Sequence, residues 1–563
     1  MAAASKRKAA KPKTTKPQGT KPQGAKPQGA KSQGAKPKTP APKRPKPKAA
    51  AGFLFEGSEW TFANLEATYA AIQEIALEDL GLDVYPNQIE IISSEQMLDA
   101  YCAIGMPLMY QHWSFGKRFV HEETLYRKGF QGLAYEIVIN SSPCISYYME
   151  ENTMAMQTLV LAHAAFGHNH FFKNNYLFQQ WTDAEAILDY LEFAKGYIAK
   201  SEERHGLDAV ESVLDAAHAL MDQGVFRYRR QNFITERQRR ERAEARQAYE
   251  DQTYNDLWRT LPRPADSKDP DEAEKLLAER KKQLNLPEEN LLYFIEKNSP
   301  ALEPWQREIL RIVRNLAQYF YPQKQTKVMN EGCATFVHHY IVNALYDRGL
   351  ITEGALMEVL HSHSNVVFQP DFDDPRFSGI NPYALGFAMM RDIVRICTEP
   401  TDEDRDWFPE IAGCEDWRGV LRDAWANFRD ESFIRQYLSP RLIREFKLFL
   451  LHDDSRDKYY EVGAIHDERG YREVRDKLAT SYDISQTEPD IQVVDVDLKG
   501  DRELVLRHNV RHGIPLDERN RDEVLAQVRR LWGYDVRLSG VDVEREKTLY
   551  ETRSLVQRSK KDD

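Results

Sequence analysis

The segment LVLAHAAFGHNHFFKNN, residues 159–175, is the strongest constraint on the fold. Its apolar residues run all the way round a helix, so the segment belongs inside a core rather than on a surface. Yet it carries His163, His168 and His170. Buried polar groups need partners. Other parts of the chain must therefore bring donors, acceptors or an ion to these imidazoles. Packing and hydrogen bonding are the plain answer, and a metal is the sharper one.

The wider distribution of histidine favours a polar centre. Eleven of the fifteen histidines lie between His112 and His363, in clusters at His112 and His121, at 163–170, at His338 and His339, and at His361 and His363. A second stretch, VMNEGCATFVHHYIV at 328–342, contains Asn330-Glu331-Gly332-Cys333-Ala334. This N-E-G-x-A turn resembles the helix that supplies a Glu ligand in gluzincin-type metallopeptidases, after an upstream H-E-x-x-H helix has supplied two His. Two neutral imidazoles, one carboxylate and an open fourth position make a catalytic zinc set.

The upstream helix departs from that pattern in two ways. His163 and His168 are five residues apart, not four, which is roughly 140° of rotation in a regular helix. A one-residue π-bulge near Gly167 absorbs the extra residue and returns both rings to one side. The predicted ligands are therefore His163, His168 and Glu331, around zinc or another divalent transition metal. Position 164 is Ala, where the peptidases carry a general-base Glu. The base then comes from Glu136 in AYEIVIN or Glu151 in MEENT, or the site does not hydrolyse peptides. His338 shares a face with Glu331 but lies about 10 Å further along the axis. It cannot bind the same ion and is expected behind the ligands or in the core. His170, and His361 and His363 in LHSHSNVVFQP, are secondary candidates, with packing or an exposed loop as the alternative.

Charge and composition divide the chain. Residues 1–50 hold 15 of the 77 Lys and Arg and none of the 88 Asp and Glu, so a basic tail precedes an acidic body. The tail repeats KPQGT, KPQGA, KPQGA, KSQGA. Pro and Gly oppose helix and there is little to bury, so residues 1–52 read as disordered. Its cations suit nucleic acid or another anionic surface by counterion release. A solubilising or crowding-tolerant tail that touches its own acidic body is the plainer reading, because no aromatic interleaves the lysines to stack on bases.

Residues 53–480 read as the main domain, mostly helical with short strands such as QIEIIS and YEIVIN. Ser58 is the expected cap of the first helix. Residues 228–290 are dense in charge and read as an exposed helix laced with i,i+4 pairs. From 484 to 550 the pattern changes to a small ββαβ domain. The fold class is thus mainly α with a few strands (α+β): a helical, zincin-like core plus that C-terminal domain.

Several function classes lack their motifs. There is no G-x-x-x-x-G-K-[ST], no G-x-G-x-x-G after a strand and no G-x-S-x-G, so nucleotide use and a serine elbow are not expected. No run of about 18 apolar residues suggests a membrane span. The basic N-terminal stretch leads into no apolar core of a secretory signal. Five scattered cysteines without a C-x-x-C pair fit a reducing compartment. Cytoplasmic location is the expectation.

Six stretches taken together, VYPNQIEIISSEQMLDAY, GMPLMYQHWSFGKRF, GLAYEIVINSSPCISYYMEENT, LAHAAFGHNHFFKNNYLF, WTDAEAILDYLEFAKGYI and MNEGCATFVHHYI, resemble the stage V sporulation protein R (SpoVR) family. QPDFDDPRFSGINPYALGF continues the resemblance, which spans about residues 56–550 and excludes only the tail. It implies a cytoplasmic bacterial protein. In spore formers the family is tied to the spore cortex, and elsewhere to a stress-linked serine protein kinase system. It assigns no catalytic residue. Two functions follow as expectations: a metal-dependent hydrolase acting on a peptide or cell-wall precursor, or a non-catalytic regulatory or scaffold protein that docks protein partners.

Any affinity for nucleic acid is expected to reside in the tail. Deleting residues 1–50 should abolish a DNA mobility shift seen with the full chain. A shift that survives the deletion assigns the binding to the body instead.

Overall fold

A computed structural model describes residues 52–103, 109–127, 136–227, 284, 286–452 and 458–556, apart from 460, 465–466, 499 and 512. The basic tail up to residue 51 and the charged segment from 228 to 283 lie outside the described residues. The rest is mainly helical with three small sheets, the α+β class expected from the pattern.

Helix α1 (Phe62–Glu74) starts at Thr61 rather than Ser58, in a reciprocal capping box between Thr61 and Asn64. The box satisfies two N-terminal N–H groups at once, which Ser58 alone would not. Strand β1 (Asn87–Ile92) leads to α2 (Ser94–Cys102), which Ser93 caps in the same way. After α3 (Trp113–Arg127) come β2 (Glu136–Ile139) and β3 (Cys144–Met149), joined through the NSSP turn. The sheet order is β1-β3-β2, with β1 parallel and β2 antiparallel to β3. In that register Glu136 lies opposite Tyr148. Their side chains therefore share a face.

Helix α4 (Met154–Val160), a π-helical turn (Leu161–His168) and α5 (Asn169–Asn174) form one continuous buried rod. Helices α6 (Tyr176–Trp181), α7 (Ile187–His205) and α8 (Leu207–His218) follow. Then come α9 (Leu291–Asn298), α10 (Pro304–Gln325), α11 (Lys327–Asp347), α12 (Glu353–Val366) and α13 (Pro382–Thr398). Short helices α14 (Asp402–Trp407), α15 (Trp417–Asn427), α16 (Asp430–Tyr437) and α17 (Pro440–Glu445) pack around these. A two-stranded ribbon, β4 (Leu450–His452) and β5 (Glu461–Ala464), precedes α18 (Glu468–Ser481) and α19 (Ile484–Thr487).

The C-terminal sheet runs β6 (Asp490–Val496), β7 (Leu504–Val510), β8 (Val536–Asp542), β9 (Lys547–Ser554), in that spatial order. Helix α20 (Glu518–Trp532) crosses between the parallel strands β7 and β8. The expected ββαβ order is present and a fourth strand extends it to ββαββ. Strand β9 pairs along β8 but leaves most of its side chains exposed, so its sequence lacks an apolar alternation. The buried face of the sheet, with Val493, Leu506 and Leu538, shares one apolar cluster with Phe294 of α9 and Leu310 of α10.

The main body is pinned where helices meet backbone to backbone. A Cβ on Gly332 of α11 would lie 2.6 Å from Gly386 Cα of α13, and one on Gly386 would lie 2.2 Å from the Val328 carbonyl oxygen. A Cβ on Gly167, in the π-turn, would lie 2.5 Å from Ala334 Cα. Only glycine allows such approach. The N-terminus of α11 has no side-chain cap of its own. Asp430 of α16 supplies it from across the fold, accepting from the Val328 and Met329 amides at 2.8 and 2.9 Å. Burial pushes the Asp430 carboxyl up to about 7 in spite of those two bonds.

Two Gly→Ala substitutions should therefore have opposite signs. Gly386→Ala forces backbone apart and is expected to cost about 3 kcal/mol or more, the upper range for overpacking. Gly196→Ala, inside α7 with open space where the Cβ would go, should stabilise by about 0.5–1 kcal/mol. Urea unfolding of both variants checks the pair.

Candidate metal centre

The extra residue between His163 and His168 is taken up as the spacing requires. All eight residues Leu161–His168 are π-helical, and the two rings stand edge to face with centroids 4.6 Å apart. Gly167 lets the same turn touch α11 at Ala334, three residues beyond Glu331. One ligand atom from each of His163, His168 and Glu331 then lies within 4.8 Å of the others. His168 Nε2 stands 3.6 Å from Glu331 Oε2. That oxygen is buried and has no hydrogen-bond partner among the described residues.

Each ligand candidate is braced from behind. Asn330 Oδ1 lies 2.9 Å from His168 Nδ1. An amide oxygen only accepts, so the His168 proton sits on Nδ1 and Nε2 presents a lone pair. His163 Nδ1 lies 3.0 Å from His338 Nδ1. Burial, then the neighbouring His168, holds the His163 imidazole well below its ordinary range. It is neutral at neutral pH, which is the form that binds metals.

Two further groups face the cluster. Glu136, on strand β2, places Oε1 3.7 Å from His163 Nε2. Burial, then the Glu331 charge, pushes its carboxyl up to about 8. Tyr383 of α13 faces the same centre, and burial raises its hydroxyl pKa, with Glu331 and Glu136 adding to the shift. Tyr383 escaped sequence reasoning because it sits one residue after the N1 proline of α13, in a run that signals only a helix start. Asn330 stands inside the N-E-G-x-A motif, so its position was a legible clue to its role.

The structure brings Glu136 to the cluster but not Glu151. The Glu151 carboxylate is exposed on the turn after β3 and accepts from the Ser94 amide at 3.3 Å. His170 points away from His163 and His168, bonding Asp83 backbone groups at 2.9 and 3.0 Å and packing on Trp425. His361 and His363 are on helix α12 rather than in a loop. His361 is exposed there, while His363 is buried against His338.

Residues 59–487 match a family model described as SpoVR like protein, and residues 489–543 match one described as SpoVR-like C-terminal domain. In Escherichia coli (strain K12), the uncharacterized protein YcgB is 56% identical over 485 residues, which cover 86% of this chain and 93% of that protein. No solved structure matches the chain. No helix among the described residues is long and apolar enough to cross a membrane.

A second imidazole cluster braces α8 against the start of α3. His112 bonds Ser114 Oγ at 2.7 Å and Asp215 Oδ1 at 3.1 Å, and Trp113 Nε1 donates to the same Asp215 oxygen at 2.8 Å. His218 Nε2 bonds the Tyr110 hydroxyl at 2.6 Å. Burial, then His112, lowers the His218 imidazole to about 4. The unfolded chain thus takes up this proton first as pH falls. The contribution of His218 is complete above its ordinary value of 6.5 and is lost as pH drops toward about 4. His218→Gln, which keeps an acceptor for Tyr110, should flatten that part of the stability–pH curve between pH 7 and 4.5. Urea midpoints measured across that range test it.

Proposed function

The chain belongs to the SpoVR-like protein family, and from that premise we propose that it is a metal-dependent hydrolase with a cell-wall or stress-related role. His163, His168 and Glu331 hold a divalent transition metal, and zinc suits the donor set best. The observation that carries this reading is the meeting of two buried, braced imidazoles with a carboxylate oxygen that has no hydrogen-bond partner among the described residues. Burying an unpaired carboxylate oxygen is costly. A cation offsets that cost and gives the oxygen a partner.

The surrounding groups fit hydrolysis of a peptide or amide bond, including one in a cell-wall precursor. Zinc in such a set lowers the pKa of its bound water toward neutrality. A bound cation favours the ionised form of the neighbouring Glu136 carboxyl, and Glu136 then serves as the general base that Ala164 does not supply. It reaches the site from the sheet rather than from the helix. The Tyr383 hydroxyl is a donor beside Glu331, placed to serve an oxygen that gains negative charge. The alternative, a non-catalytic regulatory or scaffold protein, is one outcome of the test below.

Elemental mass spectrometry of the full chain should find about one zinc, or another divalent transition metal, per molecule. His163→Ala, His168→Ala and Glu331→Ala should each lose it. Added zinc should raise the melting temperature of the parent after chelation, by mass action on the folded state, and leave the three variants unmoved. A metal-free parent as stable as its variants would sink the metal reading and leave the scaffold reading in place. With metal confirmed, Glu136→Gln should retain the ion and lose at least about 100-fold in hydrolysis of a peptide or muropeptide library.

A further inference from the structure

Behind His163 the imidazoles continue. His163 Nδ1 lies 3.0 Å from His338 Nδ1, and His338 Nε2 lies 2.9 Å from His363 Nδ1. The three rings come from the π-turn, α11 and α12, and all are buried. Two nitrogens at that separation share one proton, so each contact needs a donor on one side and a bare nitrogen on the other. All three rings are buried, where a charged imidazole is costly, so each ring carries one proton.

Three neutral rings in series have only two consistent arrangements. In one, every N–H points outward, from His163 to His338 to His363, and His163 Nε2 is bare. In the other, every N–H points inward, and His163 Nε2 carries the proton. Mixed arrangements put two protons, or none, into one contact.

We propose that His338 and His363 are positioning residues for the metal centre, accepting in series so that the proton of His163 stays on Nδ1 and Nε2 is free for the ion. This rests on the metal reading above. A metal on His163 Nε2 admits only the outward arrangement. The tautomer of His363, two rings away, then reports on the centre. Packing alone gives His363 no reason to prefer one nitrogen over the other when zinc is bound.

The test uses the full chain with ring-15N histidine and zinc(II) as the probe. Two-bond nitrogen–proton correlations distinguish the tautomers, and His338→Gln and His363→Gln assign the signals by their loss. With one zinc per chain, both His338 and His363 should be protonated on Nε2. His338→Leu should weaken zinc binding about 10- to 100-fold, as loss of an outer partner does. His338→Gln, whose amide oxygen accepts, should restore it to within a few-fold. Zinc bound at one per chain with His363 protonated on Nδ1 overturns the proposal while leaving the metal site standing. So does unchanged zinc affinity in a folded His338→Leu. Failure of the parent to take up zinc removes both. The tautomer measurement on the parent stands even where a variant does not fold.

Discussion

Backbone contact at Gly332 and Gly386 is the constraint on which the arrangement of the main body depends. No side chain separates α11 from α13 there, and none separates the π-turn from α11 at Gly167 and Ala334. Glu331 stands next to one crossing and Tyr383 lies three residues before the other member of it. His163 and His168 flank Gly167. The proposed ligand set is thus assembled by residues with almost no side chain, because interiors are packed too densely for helices to approach this closely otherwise.

The electrostatics follow from the same closeness. Four imidazoles and two carboxylates occupy a small, buried volume, and ionised groups are expensive there. His163, His338 and His363 meet this by staying neutral. Glu136 meets it by holding its proton up to about 8, with Glu331 opposing its ionisation. In the proposed metal-bound form, a cation beside the two carboxylates would turn that repulsion into attraction.

Much of this was legible in the sequence. The π-turn follows from a five-residue His spacing with glycine beside the second His, and the N-E-G-x-A turn pointed to the Glu331 that meets those histidines. The helical class and the strands QIEII and EIVI follow from periodicity. What stayed hidden depends on contacts distant in sequence. The cap of α11 is Asp430, about a hundred residues away, and no local pattern announces it. His363 read as a loop histidine because LHSHSN has short polar residues, yet α12 buries it on His338. Strand β9 lacks apolar alternation because it takes its place from backbone pairing with β8, not from burial.

The glycine crossings also bear on how relatives of this chain should be recognised. A ligand can be exchanged for another donor and still hold an ion. A glycine at a crossing cannot be exchanged, because any larger residue moves two helices at once and carries several donors out of reach together. In a family survey, a member that keeps its histidines but has a bulky residue at the position of Gly386 would retain the sequence signature without the geometry. A member with altered donors and all three glycines would keep the geometry and be the better place to look for a different use of it.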